Sequence, residues 1–578
     1  MSTSVVECDV LVMGTGAAGS AAALTARDAG LDVIMLEKEP VFGGTTAYSG
    51  GWIWAPCSPH AKAAGIEDDL DDVRAYVRQE AGNRYDEDRM EAFLEKAPKM
   101  VEFFESKTSV RFFVGADFPD YHGEKVGAHT GGRSICAAPI DGRELGKALK
   151  RLRTPRRELL VFGTNIATFD DMRHFFQAGR SIRSAAYVTR RLVSSFWDQL
   201  WYGRDRQLGL GVALAARLLK SVTEKNIPVW YSSRARMMLQ EKKKVVGAIV
   251  ERDGKAVEVR TRRGIVIATG GFPGNVRRRR ELFPHHPSPT QHFSLALETN
   301  TGDGLTLGES VGGALNTSLL NPAAWMPVSR GRYSDGKMGT FFHLYDRAKP
   351  GVIALKSDGK RFVNESGSYQ DFVPALIGSY PPGEAAYCYL VIDHRALRRY
   401  GLGFVKPAPM PIYQHIRSGY LLRDHTIEGL ARQMGMDASA VQSTVHAYNQ
   451  NARQGSDPEF GKGSVPYNRF IGDPEHTPNP CLAPIEAPPF YAVRVVPGDI
   501  GTFAGLRTDR HARVLDQSGV AIDGLYAAGA DSASLFGGAY PGAGATLGPA
   551  LTFGYVAGCH LADLNDPLRQ TVRLVGPT

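Results

Sequence analysis

Apolar positions in this chain follow two rhythms. Short runs bounded by glycine or an acid (Val10-Leu11-Val12-Met13, Val33-Ile34-Met35-Leu36, Val229-Trp230-Tyr231, Val245-Val246-Gly247-Ala248-Ile249-Val250, Ile265-Val266-Ile267-Ala268 and Leu525-Tyr526-Ala527-Ala528) read as strands, several of them buried on both faces. Stretches of helical period lie between them, at 20–29, 67–107, 181–202, 426–449 and 549–561. Acids stand where helices should begin (Glu67, Asp68, Asp69 and Asp86, Glu87, Asp88), as the helix dipole favours. Strands alternating with helices predict an α/β fold with a parallel sheet.

The first strand runs directly into Gly14-Thr15-Gly16-Ala17-Ala18-Gly19 and an alanine-rich helix. Gly14 suits the turn, Gly16 admits a pyrophosphate to the backbone, and Gly19 lets helix and strand pack closely, with the helix N-terminus facing the phosphates. The second strand ends at Glu37, at the distance where an acid meets ribose hydroxyls, and Lys38 follows it. An adenine dinucleotide is the expected ligand, with Gly14, Gly16, Ala17, Ala18, Glu37 and Lys38 around it.

A loop of small and hydroxyl residues follows, from Pro40 to Gly51. It resembles the flavin-contacting loop of the succinate dehydrogenase and fumarate reductase flavoprotein superfamily. The resemblance implies FAD, with Gly43, Gly44, Thr45, Thr46, Ser49, Gly50 and Gly51 against the flavin. Thr45, Thr46 and Ala47 stand where covalent members carry a histidine, so the flavin is expected to be held noncovalently. The same superfamily leaves its nucleotide domain at a motif like Ala268-Thr269-Gly270-Gly271, followed by a segment like Asn300-Thr301-Gly302-Asp303-Gly304. It returns with a strand ending at Gly529 and Asp531 and a helix opening at Ala545-Thr546-Leu547-Gly548. Ala268, Thr269, Gly270, Asp303, Gly529, Asp531, Ala545 and Leu547 join the expected cofactor set. The implied fold is α/β: a discontinuous Rossmann-like FAD-binding domain (1–305 and 491–578) carrying an inserted α+β catalytic domain (306–490). A second GxGxxG with its own strand and acid is missing from the sequence, so nicotinamide is not expected.

Tyr540-Pro541-Gly542-Ala543-Gly544 falls between the returning strand and helix, beside the flavin. A tyrosine hydroxyl and an unshielded glycine N–H there make an oxyanion hole for a carbonyl. From residue 1 to about 565 the chain resembles bacterial 3-ketosteroid 1-dehydrogenases, whose signature includes YPGxG. The family implies that Tyr540 and Gly544 bind the steroid 3-keto oxygen. Fumarate reductases place an acidic-role arginine five residues past the asparagine of a motif present here as Gly359-Lys360-Arg361-Phe362-Val363-Asn364-Glu365; that position is Tyr369. A phenol accepts a proton from carbon where a guanidinium cannot. The resemblance makes Tyr369 the base that removes the carbon 2 proton while the carbon 1 hydride passes to flavin N5. Tyr121, in Asp120-Tyr121-His122, resembles the tyrosine that assists the base; His122 reads as structural. Two oxyanion donors at about 3 to 4 kcal/mol each do not span the acidity gap between a ketone's α-carbon and a phenol. Either the base is made more acidic by its neighbour or hydride loss overlaps proton loss. The competing readings are a 3-ketosteroid 4-dehydrogenase, a fumarate-type reductase, and a flavin-bound membrane protein without turnover.

Composition narrows little: 578 residues, 43% apolar and 22% charged, is ordinary for a globular chain of two domains. Six dispersed cysteines without a CxxC pair give no sign of disulfides, iron–sulfur clusters, haem attachment or a metal centre. An acidic start and no run of 18 apolar residues lead to the expectation of a cytoplasmic protein. Arg277 to Arg280 read as a solvated helix face, and no nucleic-acid partner is expected. The net charge of +8 is uneven, because 151–206 holds eleven arginines against five acids. Within it, Ile182, Ala185, Ala186, Leu192, Val193, Phe196, Leu200 and Trp201 gather on one helical face, with Arg183, Tyr187, Arg190, Ser194 and Asp198 on the other. That pattern fits either a lid packed on the protein or a helix lying in a membrane interface, where it would deliver 3-ketosteroids to the site. The remaining partner expected is an external electron acceptor.

Overall fold

The computed structural model describes residues 4–563 apart from 167–168, 180 and 334, so Arg180 and the tail 564–578 lie outside the described residues. The strand Ser4–Met13 is buried from Val10 to Met13 and sits in the middle of the main sheet. Parallel neighbours flank it: Val33–Leu36 and then Val229–Trp230 on one side, the long strand Lys255–Ile267 on the other. Two partners share the far edge of that long strand. Its first half pairs antiparallel with Lys244–Arg252, which in turn pairs with Arg234–Glu241, and its last three residues pair parallel with Ala521–Ala527. Met13 is level with Leu36 and Ile267, and Ile267 with Ala527, so four carboxyl ends open onto one crevice, the usual ligand position in a doubly wound sheet.

The helix Ala17–Asp28 is buried for ten of its residues and packs on the helix Leu547–Leu561. Small residues permit that approach. A Cβ on Gly554 would stand 2.3 Å from the Ala18 carbonyl oxygen.

The inserted part carries an antiparallel sheet in the order Val352–Lys356, Cys388–Asp393, Phe490–Val495, Leu422–Asp424. Phe490–Val495 thus belongs to this sheet, and the return to the nucleotide-binding part falls beyond the boundary expected at 490. The helical stretch expected at 426–449 is two helices, Ile427–Met434 and Ala438–Arg453, parted at Gly435 in the left-handed region.

In the basic insertion the helix Ile182–Tyr202 is capped by Ser181 and ended by Gly203. It buries Ser184, Val188, Arg191, Ser195 and Asp198 and turns its large apolar residues outward. Asp198, expected on the solvent face, is instead buried because its carboxylate is taken by Arg206 at 2.6 Å. Arg191 is buried with it and donates to the Asn165 carbonyl. No helix among the described residues is long and apolar enough to cross a membrane.

Candidate active site

One cavity of about 1550 Å³ opens at the carboxyl ends of the main sheet and continues beneath the insertion. Gly14, Gly16, Ala17, Ala18, Glu37, Lys38, Gly44, Thr45, Thr46, Ser49, Gly50 and Gly51 line its inner end, with Ala268, Thr269, Gly270, Asp303, Gly529, Ala545 and Leu547. The local geometry explains several of these choices. Gly14 has φ +109° and a Cβ there would lie 2.1 Å from the Ala268 carbonyl oxygen, whereas a Cβ on Gly16 would meet nothing nearer than Thr46 Oγ1 at 3.5 Å. Gly14 is therefore demanded by the protein itself. Gly16 has room on the protein side, which leaves its backbone open to a ligand. The Ala17 N–H, an otherwise unpaired donor of the helix start, donates to Thr46 Oγ1 at 2.9 Å and so ties the two glycine loops together. The Glu37 carboxylate is buried and accepts from Thr15 Oγ1 at 2.5 Å and from the Glu39 N–H at 3.0 Å. Burial pushes it above the ordinary carboxylate range, against those hydrogen bonds.

Several expected cofactor residues have protein partners of their own, Lys38, Asp303, Gly43 and Asp531 among them. Lys38 donates to Asp303 at 3.0 Å, and Arg234 reaches the same carboxylate at 2.7 Å. Gly43 and Asp531 do not reach the cavity wall. Asp531, expected against the cofactor, is fully buried one layer behind it. Its carboxylate accepts from the Gly270 N–H at 2.8 Å and from Thr269 Oγ1 at 3.0 Å, and burial takes it up to about 6. It therefore joins the two glycine turns to each other. The Gly43 N–H donates to Thr15 Oγ1. A glycine-lined cradle, a helix start, and a carboxylate at the second strand's end fit an adenine dinucleotide, and the hydroxyl-rich loop continues the cavity towards a flavin.

Beyond the flavin end, three tyrosines distant in sequence converge. Tyr121, Tyr369 and Tyr540 are each buried and all line the cavity. The Tyr121 and Tyr369 hydroxyls are 3.2 Å apart. Tyr540 stacks on Tyr121 at 5.7 Å between ring centroids and meets Tyr369 edge-on at 5.3 Å. Tyr369 is the first residue of the helix Tyr369–Gly378, whose cap Ser368 accepts from the Gln370 N–H. Gly544 has φ +91° and lies so close to the strand Trp52–Trp54 that a Cβ would sit 2.4 Å from the Ile53 nitrogen. Its carbonyl accepts from the Trp54 and Gly548 N–H groups, at 3.2 and 2.8 Å.

The loop carrying Tyr121 has the weakest pattern in sequence and firm anchors in space. The Tyr121 N–H donates to the Pro541 carbonyl at 3.0 Å, and Tyr76 donates its hydroxyl to the same oxygen at 2.6 Å. The neighbouring Asp120 carboxylate accepts from Trp54 Nε1 and from Arg133, and Arg133 also grips Asp68. All three charges are nearly inaccessible to solvent. Removing one partner of such a set typically costs about 3 to 5 kcal/mol, because the remainder is left buried and unpaired.

Sequence reasoning missed Tyr467, Tyr345 and Arg347. Tyr467 packs at 4.3 Å from Tyr121, and Tyr345 lines the same cavity. Arg347 is wholly buried and donates Nε to the His343 carbonyl. None of the three belongs to a motif with a chemical signature; Tyr467 follows a glycine- and proline-punctuated turn, Gly461 to Pro466, that marks a helix start and no chemistry.

Burial dominates the electrostatics. It pushes the Tyr369 and Tyr121 hydroxyls well above the ordinary phenol range, and the neighbouring tyrosines add to the shift in both. Tyr540 is also raised by burial, less the effect of hydrogen bonding from Tyr369 and Thr546. Phe113, Phe118, Met326, Phe341 and Phe342 give the outer cavity an apolar wall, and the insertion adds Leu160, Phe162, Val188 and Leu192.

The sequence matches the FAD binding domain family over residues 9–547. It is 38% identical to the 4-oxocyclohex-2-ene-1-carboxylate 5-dehydrogenase of Sinomonas cyclohexanicum, over 97% of this chain and 94% of that protein. It is 34% identical to the 3-oxosteroid 1-dehydrogenase of Mycobacterium tuberculosis, over 97% and 99% of the two chains. Among solved structures, the 3-ketosteroid delta1-dehydrogenase of Sterolibacterium denitrificans, in complex with 1,4-androstadiene-3,17-dione, superposes with a TM-score of 0.89 at 35% identity. That match covers 96% of this chain and all of the other. The chain therefore belongs to the FAD binding domain family, in the group of 3-oxosteroid 1-dehydrogenases and their relatives, flavin-dependent oxidoreductases acting on CH–CH groups.

Proposed function

We propose that this enzyme introduces the 1,2 double bond of a 3-ketosteroid, with FAD held noncovalently and reoxidised by an external acceptor. The observation that carries the reading is the convergence of Tyr121, Tyr369 and Tyr540 at one end of an apolar cavity whose other end has the features of a dinucleotide site. Thr45, Thr46 and Ala47 offer no histidine for a covalent flavin link in that loop. FAD, when bound, supplies the hydride acceptor. Tyr540 Oη and the Gly544 N–H hold the 3-keto oxygen and favour enolate character there, which acidifies carbon 2. Tyr369 receives the carbon 2 proton, and Tyr121, 3.2 Å away, holds its hydroxyl in place. Because burial keeps Tyr369 protonated at neutral pH, its base form is a minor population, and proton and hydride must leave together so that little charge accumulates. The protein shuts water away from this step with the apolar wall and the insertion.

The relative acting on 4-oxocyclohex-2-ene-1-carboxylate supports a second reading, in which the ketone ring is single and carries a carboxylate. Both readings use the same chemistry. Anaerobic addition of a 3-keto-4-ene steroid should bleach the flavin and yield a 1,4-diene. Bleaching by the monocyclic keto acid alone would transfer the reading to the smaller substrate.

The insertion supports a peripheral membrane contact at the inner face of the cell membrane. Ile182 is 92% and Trp201 75% exposed, and Val193, Phe196, Trp197, Leu200 and Tyr202 are exposed around them, beside the exposed arginines Arg183 and Arg190. An aromatic and aliphatic face flanked by basic residues suits an anionic lipid surface, and the segment that bears it also walls the apolar cavity. The protein should sediment with anionic liposomes and lose that property in a Trp197→Ser/Trp201→Ser variant. Wild type remaining in the supernatant at low salt would end this part of the reading.

A further inference from the structure

His122 lies next to Tyr121, faces away from the cavity, and is held at both ends. Its Nε2 is 2.7 Å from the Asp371 carboxylate and its Nδ1 2.8 Å from that of Glu80. Asp371 stands in the first turn of the helix that begins with Tyr369. Glu80 belongs to the helix Leu70–Ala81, as does Tyr76, whose hydroxyl accepts the His122 N–H. The imidazole is thus the crosspiece between the loop of Tyr121 and the helix of Tyr369. Two catalytic hydroxyls 3.2 Å apart are carried by two segments that it joins.

We infer that His122 is a positioning residue, a cationic clamp that sets the Tyr121–Tyr369 separation through Asp371 and Glu80. Nε2 is hydrogen-bonded to Asp371, and Nδ1 lies at ion-pair distance from Glu80; carboxylates against both ring nitrogens favour the imidazolium. Burial alone would lower the group, but hydrogen bonds to Asp371 and Glu80 outweigh it and take it up to about 10. The other charges facing the cluster are Lys125, 2.6 Å from Glu80, and the buried guanidinium of Arg347, which acts on Asp371 through space. Lys125 leaves Glu80 paired if the imidazole is lost, so the helix Leu70–Ala81 keeps its partner while the link to Asp371 goes.

The inference rests on Tyr369 as the base, and its test separates the two. His122→Gln can bond one carboxylate but not bridge both. It should lower kcat about 10- to 100-fold at unchanged flavin content, with KM within about twofold, because proton transfer depends steeply on placement. Wild-type rate should fall above about pH 10 as the imidazolium is lost, and that fall should be absent from the variant. Asp371→Asn, at a half-exposed position, should reproduce both effects, and the double variant should be no slower than the slower single one. A flavin-loaded His122→Gln with wild-type kcat would overturn the clamp, as would additive losses or an unchanged alkaline limb. If Tyr369→Phe kept turnover, the function assigned to Tyr369 would fail first.

Discussion

Replacing Tyr369 by phenylalanine isolates chemistry from architecture. The ring is 4% exposed and packed against Tyr121 and Tyr540 at 5.6 and 5.3 Å, contacts that a phenyl ring keeps. What disappears is one hydroxyl, with its 3.2 Å hydrogen bond to Tyr121 and its hydrogen bond to Tyr540. A single neutral hydrogen bond contributes about 1 kcal/mol, and loss of a buried partner adds at most about 2 more, which a chain of this size absorbs as a Tm shift of a few degrees. Flavin binding should be unaffected, since the dinucleotide end of the cavity is built from other segments. Removing a positioned proton acceptor, by contrast, costs at least about 100-fold, or about 2.7 kcal/mol of transition-state stabilisation. The assay is anaerobic stopped-flow: flavin bleaching followed after mixing with a 3-keto-4-ene steroid, over a concentration series that separates binding from the limiting rate. We expect wild-type saturation and a limiting rate reduced about 100-fold or more. A fully flavinated variant that bleaches within about fivefold of wild type would refute the assignment, because the proton must then pass to another group.

Tyr540→Phe should cost about 100- to 1000-fold in turnover and weaken steroid binding, since the ketone loses a donor in both ground and transition states; titration and turnover together check this. Gly544→Ala combines a left-handed φ with a Cβ placed 2.4 Å from the Ile53 nitrogen, and should lower stability by about 2 to 5 kcal/mol and displace the Tyr540 turn, seen as a lower Tm together with lost activity. The pH profile has a definite sign. With Tyr369 raised above the ordinary phenol range by burial, its base form is scarce at neutral pH and grows as pH rises, so kcat should climb with pH; a flat profile between about pH 7 and 9 would contradict a tyrosine base.

Much of the frame was legible in the residues themselves. Four consecutive apolar residues followed by Gly14, Gly16 and Gly19 specify strand, turn and helix; Gly14 and Gly19 are both too close to neighbouring backbone for any side chain, and Gly16 keeps its backbone open on the ligand side. Tyr369 and Tyr540 were readable because each sits at a fixed count from a punctuated motif. Tertiary structure alone decided the rest. Tyr121 is placed by Arg133, Asp68 and the Pro541 carbonyl, partners up to several hundred positions away, and Tyr467 enters the cluster from a short helix whose sequence signals a turn but no chemistry. Asp531 carries the signature of a ligand residue and is instead spent on joining two turns, because burial behind the wall leaves only protein donors within reach. The helix Ile182–Tyr202 is the sharpest case. Periodicity identified two faces, but which one meets the protein depends on Asp198 finding Arg206 and Arg191 finding the Asn165 carbonyl, and those pairings, both with partners outside the helix, turn the apolar face outward. A one-dimensional pattern records where side chains of one kind gather; the direction they face is set by partners that only folding brings near.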